Sequence, residues 1–344
     1  MPSHHGPTYD FVVIGSGFGG SVSALRLAEK GYSVFALERG KHYRDQDFAR
    51  SNWHIWKYLW LPALRWFGIL EMSLLNGMMV LHGSGVGGGS LGYANALMEP
   101  DDELFNAPAW RDLADWKTIL RPHFATAKRM LGVTPNPRLW PADSILREVA
   151  SEHGKADSLH PADVGVYFGD EERDTPDPYF DSNGPDRRGC RHCGGCMVGC
   201  RYNAKNTLVK NYLCLAQKLV RNLSTLFRHK LSSEKTAAPE QTVEAQIDVA
   251  HSATRAFAAK ANAVPAGSIF ESLLNLPTTA HVLGGCPLGH TPHEGVVDLC
   301  GQMFGYPGLY VVDGSIVPAN PGINPSLTIT ALAEYTMSCI PAKG

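Results

Sequence analysis

The feature that most constrains this chain is a glycine-spaced turn near its start. Gly15, Gly17 and Gly20 form a Gly-x-Gly-x-x-Gly run. Before it, Asp10-Phe11-Val12-Val13-Ile14 reads as a buried strand; after it, the sequence predicts a helix to about Lys30, closed by Gly31. Ser33-Val34-Phe35-Ala36-Leu37 is a second apolar run of strand length, so the unit must cross over into parallel pairing. Each glycine has a physical job in such a unit. The first permits the tight turn, the second lets a diphosphate approach the backbone, and the third lets helix and strand pack closely. Amides at the helix start would face the diphosphate. Glu38 closes the second strand 23 residues after Gly15, where a carboxylate accepts hydrogen bonds from ribose hydroxyls. The unit predicts a dinucleotide site and by itself leaves NAD and FAD open.

Other segments bear on that choice. Gly83-Ser84-Gly85-Val86-Gly87-Gly88-Gly89-Ser90 is too glycine-dense for a helix and too apolar in its flanks for a linker. Backbone must approach something closely there. Leu309-Tyr310-Val311-Val312 reads as a short buried strand ending on Asp313 and Gly314. Asn324 is a good N-cap and Pro325 a favoured first residue for a helix to about Ser338. A helix start aimed at a flavin would stabilise negative charge on the reduced ring. Further helical patterns fall at 111–131, 142–152 and 205–221. Residues 155–189 read as a long ordered loop or domain crossing, and 222–270 is polar and Ala-rich.

Composition excludes more than it assigns. With 344 residues, 44% of them hydrophobic, the chain can bury one large core or two ordinary ones, and disorder is excluded. Lys and Arg number 31 against 33 Asp and Glu, so a net charge of -2 offers no field for nucleic acid. The first residues lack a charged segment followed by an apolar one, which points to the cytoplasm. The most apolar stretch, Trp53 to Leu75, is interrupted by Lys57, Pro62, Arg65 and Glu71, so no membrane span is expected.

Two clusters carry further chemistry. Cys190, Cys193, Cys196 and Cys200 have the spacing of a ferredoxin run, which suits an iron–sulfur cluster relaying electrons to an external acceptor. Arg201 stands where that run has proline, and no second run exists; buried thiols or a zinc knuckle are the competing readings. Cys214, Cys286, Cys300 and Cys339 stand alone. Trp53, Trp56, Trp60 and Trp66 are spaced roughly as one helical face, with core or cavity lining as the default and contact with a membrane surface as the alternative.

Four stretches together resemble the glucose-methanol-choline (GMC) oxidoreductase family, within it the cholesterol oxidase-like branch. They are YDFVVIGSGFGGSVSALRLAEKGYSVFALERG, LHGSGVGGGSLGYANALMEP, CRHCGGCMVGCRYNAKNT, and TAHVLGGCPLG with LYVVDGSIVPANPGINPSLTITALAE. The resemblance implies an α/β fold: an FAD-binding, Rossmann-like doubly wound sheet with a reduced substrate or cap region. It divides the chain into 1–132, an N-terminal FAD-binding part; 133–270, a shortened cap with the cysteine cluster; and 271–344, a C-terminal segment completing the site. It implies noncovalent FAD, held by Gly15, Gly17, Gly20 and Glu38 on the ADP half. Gly85, Gly88, Gly89 and Asn95 would lie along the diphosphate and ring, with Asp313 and Gly314 near the ribityl chain. His281 and Asn324 would be catalytic, His281 as the group that deprotonates or orients a substrate hydroxyl.

The implied reaction is oxidation of a secondary alcohol, a 3-hydroxysteroid or another apolar alcohol, with oxygen or an electron-transfer protein as acceptor. Two alternatives remain at this point: a sugar or small-alcohol dehydrogenase using the cluster, and an inactive shortened relic. The relic reading arises because the strands that family members place after about Gln217 have no match here. Glu244 and Glu271 read as solvated positions rather than as an isomerising acid.

Overall fold

The computed structural model describes residues 8–75, 78–219, 226–227, 248–265 and 277–344. Strand β1 (Phe11–Ile14) leads through helix α1 (Phe18–Glu29) into β2 (Val34–Glu38). The strands pair in parallel, Phe11 opposite Val34 and Ile14 opposite Leu37. The ends of β2 and β1 therefore lie side by side at the glycine turn. Hairpin strands β3 (Leu70–Leu75) and β4 (Met78–Gly83) follow. Helices α2 (Trp116–Leu131), α3 (Pro141–Glu152) and α4 (Tyr212–Leu219) come next. Strand β5 (Leu226–Phe227) extends the first sheet, parallel to β2 on the side away from β1. Helix α5 (Asp248–Lys260), strand β6 (Thr278–Thr279) and helix α6 (Ser326–Cys339) complete the elements used below.

Helix α1 packs against α4 and α6, and α6 also packs against α2. The small residues Gly19, Ser21, Ser23 and Ala24 of α1 are buried and let its neighbours come close. On α2, Trp116, Leu120, Phe124, Ala127 and Leu131 recur at helical spacing and are buried. Asp115 caps that helix by accepting from the Thr118 amide at 3.2 Å, and Gly132 ends it at φ 59°. One polar knot ties the chain's two ends. Arg26 donates from Nε and Nη2 to the two oxygens of Glu334 at 2.7 and 2.8 Å, and the Tyr212 hydroxyl donates to Glu334 Oε1 at 2.6 Å. Glu334 is 5% exposed, so this fork is shielded from water and fixes α6 against α1.

Three expectations change. The run 309–312 is not a sheet strand: Tyr310 makes a single bridge with Gln302, and the Val311 amide donates to Gly301 at 2.9 Å. The neighbouring turn satisfies its backbone, and Val312 packs its carbonyl against α1 at Gly19. The tryptophan segment is not a helical face. Ile55–Tyr58 makes one turn, after which Trp60–Leu61 pairs antiparallel with Trp66–Phe67. Trp53 and Trp56 are exposed rather than core. The isolated Cys300 and Cys339 are joined in a disulfide between a loop and the end of α6. Glu244 and Glu271 lie outside the described residues.

Candidate flavin and alcohol site

The glycine turn, β2, the β3–β4 hairpin, the 88–94 loop, the 280–282 segment and the start of α6 enclose one cavity of about 820 Å³. At the turn the glycines divide the work. A Cβ on Gly20 would sit 2.0 Å from the Gly15 carbonyl, so only glycine lets α1 approach the turn. A Cβ on Gly17 would meet no atom within 4 Å. Gly17 also lacks a side-chain cap for α1, and the first turn carries no acid. Unobstructed space lies in front of uncapped amides, which is what an anionic diphosphate needs. The second glycine loop closes on this one, since a Cβ on Gly88 would reach Gly17 Cα at 2.7 Å.

Glu38 sits at the end of β2 on the cavity wall. Its carboxylate accepts from the Ser16 amide (3.1 Å), the Ser16 hydroxyl (2.7 Å) and the Gly40 amide (2.8 Å). An ionised carboxylate has about four acceptor sites, so one remains for a ribose hydroxyl. Ser16 Oγ in turn accepts from the Gly87 amide at 3.0 Å, joining the two glycine segments. The residues thus fit the adenosine diphosphate half of FAD: a turn with open space, free amides and an acid with spare capacity.

The opposite wall carries the other polar pair. Strand β6 docks parallel to β4, Thr278 opposite Met79 and Thr279 opposite Val80. This carries the chain over the cavity, and the Thr279 hydroxyl accepts from the His281 amide at 3.1 Å. The Asn324 side chain is the polar neighbour of the His281 ring on this wall. His281 is open to the cavity, and partial burial by its walls holds its pKa below the ordinary histidine value, while the Asn324 contact opposes that shift. The ring is therefore neutral and proton-accepting at physiological pH. Asn324 faces His281 instead of capping the helix, which begins at Ser326 without a side-chain cap.

The cavity wall includes Gly15, Gly17, Glu38, Gly88, Gly89, His281, Asp313 and Asn324. Gly20, Gly85, Gly314 and Asn95 do not line it. Asn95 is buried with φ 59°. Its neighbours Tyr93 and Ala94 take the wall position. Ser16, which couples Glu38 to the second glycine loop, was missed by motif reasoning because its residue type carries no fingerprint.

The four clustered cysteines line a separate cavity of about 20 Å³. That is room for about one water molecule, and among the described residues no three donors are grouped to hold a metal ion. The geometry gives the iron–sulfur reading no support: Cys190, Cys196 and Cys200 are partly buried thiols and Cys193 is exposed. Burial pushes the Cys190 and Cys196 thiols up. Lys205, 1% exposed, bridges this loop to the glycine segment: Nζ donates to the Cys196 carbonyl at 2.8 Å and the Leu91 carbonyl at 2.9 Å. Burial lowers its pKa to about 7, with Cys196 and Cys200 opposing.

An α/β dinucleotide fold with a second glycine loop and a histidine–asparagine pair on one cavity defines an oxidoreductase of the flavin-binding class. The chain belongs to the GMC oxidoreductase family, whose members act on CH–OH donors with FAD. Residues 218–333 match the family model for GMC oxidoreductase. A cholesterol oxidase of Mycobacterium tuberculosis (strain H37Rv) is 32% identical over 532 aligned positions, covering 98% of this chain and 92% of that protein. One of Acinetobacter baumannii is 31% identical over 526, covering 97% and 95%. Both alignments are longer than the 344 residues of this chain, so the relatives carry internal segments without a counterpart here. A crystal structure of pyridoxine 4-oxidase from "Mesorbium loti" shares the fold, with a TM-score of 0.55 at 14% identity over 96% of this chain and 99% of that one. Among the described residues no helix is long and apolar enough to cross a membrane.

Proposed function

We propose that this chain oxidises a secondary alcohol on a bulky apolar substrate, a 3-hydroxysteroid such as cholesterol, with FAD bound in the 820 Å³ cavity. The observation that carries the reading is that His281 and Asn324 line the same cavity as Glu38 and the Gly15–Gly17 turn. When bound, FAD supplies the hydride acceptor. His281, neutral at physiological pH, accepts the proton of the substrate hydroxyl. Asn324 holds the imidazole in place and steadies its protonated form. The apolar side of the cavity, with Phe18, Tyr58, Leu70, Leu81 and Ile329, excludes water and receives the hydrocarbon. The two cholesterol oxidases among its relatives support a sterol as substrate.

Product analysis tests this. Incubation with cholesterol and FAD should yield the 3-ketone, detected by mass spectrometry, and His281→Ala should abolish it while retaining bound flavin. A panel in which only small alcohols or sugars are turned over would replace the sterol assignment.

A further inference from the structure

The loop of four cysteines takes no part in the chemistry described above. Its two ends are anchored and its middle is open. Upstream, the Cys190 amide donates to the Tyr167 carbonyl at 2.9 Å, and Cys190 Sγ accepts from the His192 amide at 3.3 Å. Arg191 Nη2 donates to the Glu171 carbonyl at 3.1 Å. Downstream, Gly199 packs so closely on the Phe48 ring that an added Cβ would lie 2.2 Å from it. Arg201 Nη1 donates to the Gln46 carbonyl at 2.9 Å. Between these anchors Gly194 has φ 68°, and an added Cβ there meets no atom within 4 Å. The turn Cys193-Gly194-Gly195-Cys196 can therefore tighten without disturbing either end.

That turn holds two neighbouring thiols. Cys193 is exposed and Cys196 half-buried, and both line the cavity of about 20 Å³. Cys193 Sγ folds back over the turn, 3.5 Å from where a Cβ on Gly195 would sit. Cysteines separated by two residues have the spacing of a redox dithiol, and a cation beside such a pair favours the reactive thiolate. Cations are in excess here. Arg187 and Lys205 are each 1% exposed, and among the described residues neither makes an ion pair with a carboxylate. Arg187 donates to the Asn203 and Ala204 carbonyls and to Asn206 Oδ1, and Lys205 to the Leu91 and Cys196 carbonyls. Both face Cys200, and Lys205 also faces Cys196.

We propose that Cys193 and Cys196 form a peroxide-sensitive dithiol whose closure to a disulfide reshapes the wall of the large cavity. The oxidant is hydrogen peroxide, which is the second product of an alcohol oxidation that uses oxygen as acceptor. Cys193 Sγ attacks one peroxide oxygen; an S–O bond forms, the O–O bond breaks, and the departing hydroxide leaves as water with the thiol proton. Cys196 Sγ then attacks the sulfenic sulfur of Cys193; the S–S bond forms, the S–O bond breaks, and a second water leaves with the Cys196 proton. The two thiols give up two electrons, and the peroxide is reduced to two waters. The effect reaches the cavity through two links. Met197 follows Cys196 in the short turn Cys196–Val198 and belongs to the cavity wall. Lys205 ties the Cys196 carbonyl to that of Leu91 in the 88–94 loop, which forms another part of that wall.

Thiol mapping of the freshly purified full-length protein, before and after one equivalent of hydrogen peroxide, tests this. Free thiols, six at the start, should fall by two. The tryptic peptide 192–201 should carry an internal disulfide, with Cys200 alone alkylated. Cys193→Ser protein should lose no thiol to the same treatment. FAD, titrated by fluorescence quenching, should bind the oxidised wild type about fivefold more weakly than the reduced. Dithiothreitol should restore the affinity, and Cys193→Ser should show no such change. An unchanged thiol count, a bridge to Cys190 or Cys200, iron or zinc held on these thiols, or equal FAD affinity in the two forms overturns the proposal. The affinity readout rests on the reading of the cavity as the flavin's: reduced protein that binds no FAD refutes that reading, while the thiol count still decides this one.

Discussion

Two glycine substitutions separate the cradle's role in folding from its role in binding. At Gly17 the backbone has φ -70° and an added Cβ meets nothing within 4 Å. Gly17→Ala then changes stability through two small opposing effects. The unfolded chain loses entropy, a gain of about 0.4–1 kcal/mol, while alanine is a poorer helix cap than glycine by a similar amount. Apo-protein stability should stay within about 1 kcal/mol of wild type. The same methyl group occupies the space in front of the α1 amides. If it displaces two charge-assisted hydrogen bonds at about 1.5 kcal/mol each, FAD affinity falls on the order of 100-fold. Gly20→Ala behaves differently. Its Cβ would lie 2.0 Å from the Gly15 carbonyl and 3.2 Å from Val13 Cγ1, and a backbone clash in a packed turn costs about 1–3 kcal/mol or more. Urea denaturation of the apo-proteins and quenching of FAD fluorescence on titration measure the two effects. Gly17→Ala protein that binds FAD as tightly as wild type would refute the assignment of this turn to the diphosphate. Equal destabilisation by both substitutions would refute the geometric argument.

Three further outcomes are expected. In the flavin-free protein, an NMR titration of the His281 ring should give a midpoint below the usual histidine value of 6.5, and Asn324→Leu should lower it further because the contact that raises it is gone; an upward shift contradicts the pairing. Lys205 titrates near 7 when folded and at 10.5 in its ordinary state, so the unfolded chain binds the extra proton between those values. Its contribution to stability should therefore rise with pH across that window by up to about 1.4 kcal/mol per unit and be flat below it. Urea denaturation at several pH values should show this component in wild type and not in Lys205→Met. Thiol titration of denatured, unreduced protein should count six free cysteines of eight, and Cys300→Ser should raise the count to seven; eight thiols in the unreduced wild type would contradict the disulfide.

The nucleotide half of the site was readable because its physics is local. Gly15, Gly17, Gly20 and Glu38 lie within one strand–helix–strand unit, where spacing alone determines what faces what. The pairing of His281 with Asn324 was not readable from spacing, since it depends on β6 docking against β4 and on α6 being held by Glu334 and Arg26; only the family resemblance pointed to it. The β3–β4 hairpin has its own local signal, Asn76-Gly77 between two apolar runs. The tryptophan spacing is near that of a helix, but Pro62 within the run breaks a helix there. The cysteine run matches a metal motif, yet among the described residues its donors are not grouped to hold a metal ion, and the Cys300–Cys339 connection could not be deduced from positions alone.

The central claim is that one cavity holds a flavin and presents a substrate alcohol to His281 beside it. Anaerobic addition of cholesterol to the purified, FAD-loaded protein tests this most directly. The visible flavin band should bleach in wild type and persist in His281→Ala protein carrying the same flavin. A band that persists in wild type with cholesterol and with smaller alcohols alike, or one that bleaches equally without His281, would contradict the account.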